Sequence, residues 1–423
     1  MIKRFKAFYN KENFDYSSGY VDPFEFHKTF YFFLKRFKVT HMKYKTDYCN
    51  QNLFIIIVRF LHLIIHLISM YFLHGLGRFD IPCMTESGVY AILEYYAFLI
   101  LYCTKTNLPE FVSLLNSMKE DFEYICSKGA KYRKKFFENQ IETWKISLFV
   151  TIFVGGIGVM LFFSNLTALA YFLLTHTPGD GGKRPLLFPI WLPNLDLSES
   201  PIYEIMLIFI GTMDDKLLIY IFFYMMQTQI VWVRHIMSKA DIVIWSIEDL
   251  FIDIRPTRNP EERKHFATIL KHRLREIVIQ HQSMYRLLED FSRVYKKLLL
   301  MEQVICAPIV CFTAYCSIQK FEEGSVHMPF LLLLITSIVV VFIPSYLGTF
   351  LLLKITSIVD ACWNVPLWDA DPLIRPYLVL IMQRSLRPLP LQAPGFEEVS
   401  LKTFSRKMAS AYSCFNMLRQ TNI

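Results

Sequence analysis

The sequence predicts an all-α protein with seven membrane-spanning helices, and three observations carry that prediction. Hydrophobic residues fill 53% of the 423 positions, 38 of them Phe, a balance shifted from water-soluble chains toward those solvated by lipid. Five apolar runs, at about 53–76, 146–174, 202–235, 299–316 and 328–353, are each near or beyond the roughly 20 residues that a helix needs to cross the hydrocarbon. Lys and Arg gather on alternate connections: seven lie in 104–143 and twelve in 236–297, against four in 77–87, 175–201 and 317–327 together. Unpaired backbone groups are not tolerated in lipid, which favours helices, and the runs lack the short alternating pattern of an outer-membrane barrel.

Residues 1–50 are basic, but "MIKRFKAFYNKENFDYSSGY" has neither the apolar core nor the small-residue cleavage site of a secretory signal. They read as a cytoplasmic segment, and the first span reads as an uncleaved signal anchor. Residues 51–235 hold spans one to four. In the first, "HLIIH" sets His62 and His66 on one helix face. With no evident acid or thiolate beside them and no HExxH motif, they read as polar packing, so no metal and no cofactor is expected. The second span, "GVYAILEYYAFLILYC" at 88–103, is short and contains Glu94; the third contains "FVGGIGVM" and a glycosylation sequon at Asn165 close to the membrane. The fourth run exceeds one crossing and is interrupted by Asp214, Asp215 and Lys216.

Residues 236–298 form a cytoplasmic anchor. From 257 onward Phe266, Ile269, Leu274, Ile277, Ile279, Tyr285, Leu288 and Phe291 recur near a helical period under a charged outer face, predicting one long helix that runs into the fifth span. Residues 299–353 hold spans five and six, and 354–397 return to the cytoplasmic side. Residues 398–423 make the weakest span. There Arg406, Ser410, Ser413, Met417 and Gln420 follow spacings of four, three, four and three, while Phe404, Met408, Ala411, Tyr412, Phe415 and Leu418 supply apolar packing. A surface helix produces the same pattern, but a crossing helix with this stripe needs protein or water beside its polar face. With seven spans the N-terminus faces the cytoplasm and the C-terminus faces outward, the reverse of a G-protein-coupled receptor.

Nine Cys do not make a secreted disulfide framework; Cys83 and Cys316 lie near outer boundaries, and free thiols are the plain reading. No P-loop, dinucleotide site, nucleophile elbow or nucleic-acid module is present, so neither an enzyme nor a nucleic-acid partner is expected. The net charge of +8 instead suits a chain oriented beside anionic lipid. Aromatic residues on span two and glycines on span three suggest a cavity for a small, largely apolar molecule, bounded by Tyr90, Tyr95, Gly156, Met160, Met206, Phe209 and Thr212.

The last 60 residues carry a more specific signal. "WNVPLW", "RPYLVLIMQRSLRPLPLQAPGF", "VSLKTF" and "YSCFNMLR", with the outer "LLFPIWLPNLDLSESPIY", resemble the insect odorant receptors, and among them an odour-tuning subunit. That resemblance implies a ligand-gated, non-selective cation channel of four subunits, formed with the shared co-receptor in the plasma membrane of olfactory neurons. It implies a volatile ligand among spans two, three, four and six. It also implies a pore lined by the final span, with Met417 and Thr421 at gate positions and Ser413 and Gln420 on the ion path. Thr421 is smaller and more polar than the apolar residue the co-receptor carries there. Phe291, Trp363, Trp368, Leu378 and Met382 are expected at subunit contacts of the anchor, with a purely intramolecular core as the alternative. A G-protein-coupled receptor and a gustatory-type channel are the competing functional readings.

Overall fold

The computed structural model describes residues 6–36, 45–77, 81–175, 196–208, 215–254, 260–324, 327–366, 371–392 and 395–421, apart from positions 7, 13, 18 and 396, together with 184, 190 and 192. From residue 23 onward the helices are α1 (Pro23–Phe26), α2 (Lys28–Arg36), α3 (Lys45–Gly75), α4 (Ile81–Thr106), α5 (Leu108–Ser127), α6 (Ala130–Thr175), α7 (Ile202–Ile208), α8 (Asp215–Glu248), α9 (Pro260–Glu322), α10 (Met328–Trp363), α11 (Asp371–Ser385) and α12 (Leu401–Thr421). Among the described residues no strand occurs; Gln392 and Glu398 form an isolated bridge. The chain is all-α, as its composition and periodicity predict.

Among the described residues five helices, α3, α4, α6, α9 and α10, are long and apolar enough to cross a membrane. The half-polar α12 is not one of them, in keeping with its weak sequence signal. Of the fourth apolar run the structure describes α7 up to Ile208 and α8 from Asp215 onward, with Asp215 and Lys216 in the first turn of α8; Asp214 lies outside the described residues.

Several helices are far longer than a bilayer. The 63 residues of α9 extend about 95 Å at ~1.5 Å per residue, against a hydrocarbon thickness of ~30 Å. Its N-terminal part buries Phe266, Leu274, Ile277, Tyr285, Leu288 and Phe291 at helical spacing, as the stripe predicts, although Ile279 is exposed and Leu270 is buried in place of the half-buried Ile269. Parts of α6, α8 and α10 overrun in the same way and pack with α1, α2, α5 and α11 into a second bundle. Trp144, Trp232, Phe111, Phe122, Phe136 and Phe137 fill its core.

Charge is also buried there. The Asp121 carboxylate on α5 is hydrogen-bonded to His235 Nε2 at 2.9 Å and accepts from Lys239 Nζ at 2.5 Å, both on α8; Lys239 also donates to Ser283 on α9 at 2.7 Å. Burial opposes ionisation of Asp121, but the His235 hydrogen bond and the Lys239 charge outweigh it and hold the carboxyl below its ordinary range. Because the bonds join three helices, this cluster fixes their relative register.

The return into α12 depends on a close approach. Gly348 on α10 lies against the backbone of residue 399; a Cβ added there would stand 2.1 Å from the Val399 carbonyl oxygen. Only a glycine leaves room for that crossing. The next residues are tied down by Leu401 N donating to Thr349 Oγ1 at 2.9 Å and Thr403 N donating to Ser400 Oγ at 3.3 Å, a side-chain cap on the first turn.

Candidate ligand cavity and final helix

A cavity of about 110 Å³ lies within the membrane half. Leu93 and Tyr96 of α4 form one wall, Val154, Ile157, Gly158 and Leu161 of α6 another, and Phe222 of α8 a third. Residues Glu302, Ile305, Ile309 and Thr313 of α9, with Leu333, Thr336, Ser337, Val340 and Val341 of α10, close it. The volume approaches the ~150 Å³ of an engineered apolar cavity that takes up benzene.

The lining hydroxyls are already engaged with their own helices: Thr313 donates to Ile309 O at 2.7 Å, Thr336 to Leu332 O at 2.8 Å and Ser337 to Leu334 O at 2.9 Å. The Glu302 carboxyl is different. It is 4% exposed, and Oε1 accepts from Tyr96 Oη at 2.5 Å and from Gln229 Nε2 at 2.7 Å, while Oε2 is buried without a partner. Sequence reasoning passed over this residue; an acid inside the apolar run 299–316 was the signal available to find it.

Of the expected ligand residues, the described Tyr90, Tyr95, Gly156 and Met160 are not among those that line this cavity. Tyr90 instead stacks on His66, ring centroids 6.2 Å apart, while Tyr95 and Met160 are exposed on the bundle surface that lipid would cover. A Cβ on Gly156 would meet nothing within 4 Å. The cavity is lined from the same two helices on other faces, because neighbouring residues point ~100° apart around a helix: Tyr96 rather than Tyr95, and Gly158 rather than Gly156. Met206 belongs to α7, but its side chain, like all of Phe209 and Thr212, lies outside the described residues.

His62 and His66 do have an acid nearby, contrary to expectation: Glu94 Oε1 of α4 stands 3.2 Å from His62 Nδ1. The two helices bring together what linear spacing keeps apart. Among the described residues no group of His, Cys, Asp or Glu is arranged to hold a metal ion. Cys316 is a buried free thiol, whereas the side chains of Cys83 and Asn165 lie outside the described residues.

The final helix packs through one face. Ala411 and Phe415 are buried against Ile309, Val310, Cys311 and Tyr315 of α9, and Lys407 donates to the Gln303 carbonyl. Arg406, Ser410, Ser413, Met417 and Gln420 are all exposed on the other side. Tyr412, expected to pack, is instead 66% exposed, and the side chain of Thr421 lies outside the described residues. Thus α9 contributes to the cavity wall and also carries the final helix.

In the second bundle Phe291 and Leu378 are covered by this chain's own helices, Phe291 with its ring 4.5 Å from that of Tyr295. At these two positions the expected subunit contact gives way to an intramolecular core. Met382 is partly buried, Trp363 is 79% exposed and Trp368 lies outside the described residues.

The profile of the 7tm odorant receptor family matches residues 82–412, a stretch that includes the cavity and most of the final helix. The chain belongs to the odorant receptor family. Among curated Drosophila melanogaster relatives, it is 26% identical to odorant receptor 85f over 45% of this chain and 47% of that one, about half the relative's length. It is 23% identical to odorant receptor 67c over 73% of each chain. Among solved structures, the insect olfactory receptor OR5 from Machilis hrabei in complex with eugenol superposes with a TM-score of 0.71, at 17% identity over 94% of this chain and 98% of that one. A second structure of the same receptor superposes with a TM-score of 0.66, at 16% identity over the same shares of the two chains. This odorant receptor is therefore a multi-pass membrane protein with an insect olfactory-receptor fold, and its family is one of receptors, not enzymes.

Proposed function

We propose that the chain is the odour-tuning subunit of a ligand-gated, non-selective cation channel, assembled as a tetramer with the shared co-receptor in the olfactory neuron membrane. The observation that carries this reading is the final helix: its apolar face packs on α9 while Ser410, Ser413 and Gln420 remain uncovered. In a membrane such a face needs water or protein, and copies arranged around an axis supply both. Met417 then narrows the closed path with a flexible apolar side chain, Gln420 presents a neutral amide to hydrated cations, and Thr421 and Ser413 extend the lining.

Odorant binding in the cavity shifts the equilibrium between two packings of the bundle only to the extent that it binds them unequally. Helix α9 offers the physical link, since Ile309 borders the cavity and also contacts the Ala411–Phe415 face. Pro308 in the same stretch lacks the amide proton that would bond the Val304 carbonyl, a local weakness where a helix bends. The N-terminus faces the cytoplasm, the C-terminus faces outward, and Trp363, Trp368 and Met382 contact neighbouring subunits.

The test is current recording in cells that express the chain with and without co-receptor while G-protein signalling is blocked. Rapid, co-receptor-dependent odorant currents are expected. Responses that require G proteins, or an externally accessible N-terminus, would overturn the reading in favour of a G-protein-coupled receptor; selective responses to soluble tastants would favour a gustatory-type channel.

A further inference from the structure

We infer that the cavity selects ligands bearing one hydroxyl group, small alcohols or phenols, and that Glu302 Oε2 is the atom that recognises it. The inference rests on the cavity being the ligand site of the proposed channel, and it names the chemical class that site prefers.

Oε1 of Glu302 already accepts two hydrogen bonds, from Tyr96 and Gln229 on two other helices, so the carboxyl is held in a defined orientation. Oε2 is buried and has no partner among the described residues. A buried polar atom left in that state costs free energy that any correctly placed ligand group recovers. The remaining polar groups of the lining do not compete, because the hydroxyls of Thr313, Thr336 and Ser337 donate to their own helix backbones.

The two donors on Oε1 also decide what the ligand must offer. If the carboxyl carries a proton, it sits on Oε2 and requires an acceptor; if the carboxyl is ionised, Oε2 requires a donor. A carbonyl satisfies the first state alone and an ammonium the second alone. A hydroxyl satisfies both without bringing a second charge into an apolar cavity. The other walls, chiefly Ile, Leu, Val and Phe, suit the hydrocarbon remainder of such a molecule. Recognition by one buried polar atom discriminates more sharply than a missing methylene does, because an analogue without the group leaves that atom unpaired.

The experiment compares concentration-response curves for matched sets of one carbon skeleton, presented as alcohol, methyl ether, ketone, amine and hydrocarbon, in cells expressing the chain with co-receptor. In the wild type the alcohol should be more potent than its methyl ether by about tenfold or more, the effect of a single buried hydrogen bond. Glu302→Leu should bring the two within about twofold, and Glu302→Gln should narrow the gap as well, because its NH2 takes the place of Oε2 and only donates, which an ether oxygen satisfies as well as an alcohol oxygen. Surface labelling accompanies each variant. If Leu at 302 prevents surface delivery, the wild-type ranking alone decides: a ketone, amine or methyl ether that equals or exceeds the alcohol overturns the inference. An alcohol preference unchanged in a surface-delivered Glu302→Leu variant overturns it too. Robust gated currents with no dependence on residue 302 would remove the hydroxyl assignment and leave the channel reading standing, whereas no ligand-gated current in the wild type removes both.

Discussion

Replacing Gly348 by Ala tests how the final helix is seated. The added Cβ would stand 2.1 Å from the Val399 carbonyl oxygen and 3.2 Å from its carbon, and the first distance is one that real Cβ atoms essentially never show. Relief requires α10 and residue 399 to separate by roughly 1 Å, and the obstruction is backbone, so no side-chain rotation provides it. The adjoining Leu401 N to Thr349 Oγ1 bond would lengthen with them. Overpacking typically costs about 1–3 kcal/mol, and two opposed backbones put this case at the upper end. Gly348→Ala should therefore lower the thermal stability of the detergent-solubilised chain and, once corrected for surface density, alter the opening of the channel more than the ranking of odorants. Gly75→Ala is the control, since a Cβ there meets nothing within 4 Å. A Gly348→Ala channel with wild-type stability and wild-type current would refute the close approach and the route into α12 built upon it.

Asp121→Asn breaks a buried ion pair while keeping its shape; removing one partner leaves Lys239 poorly compensated, at a cost of about 3–5 kcal/mol, read by denaturant unfolding with Trp fluorescence. Since the folded-state pKa of Asp121 is depressed, its contribution is present above the ordinary carboxylate range and lost as pH falls through the folded value, so the stability gap between wild type and Asp121→Asn should close in acid. On α6, Gly158→Leu should raise the effective odorant concentration by about tenfold or more through loss of cavity space, whereas Gly156→Leu should change it little; equal effects would contradict the assignment of faces. In a Cys414→Ser background, which removes an exposed native thiol, cysteines at Ser413, Met417 and Gln420 should react with water-borne reagents and block current in the open state. Cysteines at Ala411 and Phe415 should be protected, and uniform protection along the helix would leave α12 without a pore role.

The elements that were legible in the sequence share one property: their signal repeats. The stripe from Phe266 to Phe291 specifies a helix over many turns, and α9 follows it into the membrane without a break. The polar stripe of α12 likewise lies on the exposed face because four separate residues agree on it. Single positions were not legible to that degree. Tyr95 and Tyr96 are adjacent and chemically identical, and only the packing of α4 against α8 and α9 turns Tyr96 inward to Glu302. Glu94 beside His62, and residue 399 over Gly348, are meetings between distant parts of the chain that no local pattern encodes. Phe291 and Leu378 show the same limit from the other side, because an apolar stripe announces burial without saying whether the covering surface belongs to this chain or to another.

Glu302 places an acid where hydrocarbon would pack more simply. A buried carboxyl with both oxygens satisfied would serve mainly to hold α4, α8 and α9 in register, since Tyr96 and Gln229 come from two of these helices and Glu302 from the third. Full satisfaction would also need a third donor or acceptor from the protein. Beyond Tyr96, the lining hydroxyls of Thr313 and Ser337 donate to their own helix carbonyls, so the site is oriented but incomplete. An oriented, incomplete polar group beside a cavity is the arrangement in which an entering molecule gains most: the ordering cost is met during folding, and the ligand completes the last bond. Since the same helix bears Ile309 and Val310 against the final helix, a ligand that completed that bond would act on an element that the cavity and the final helix share.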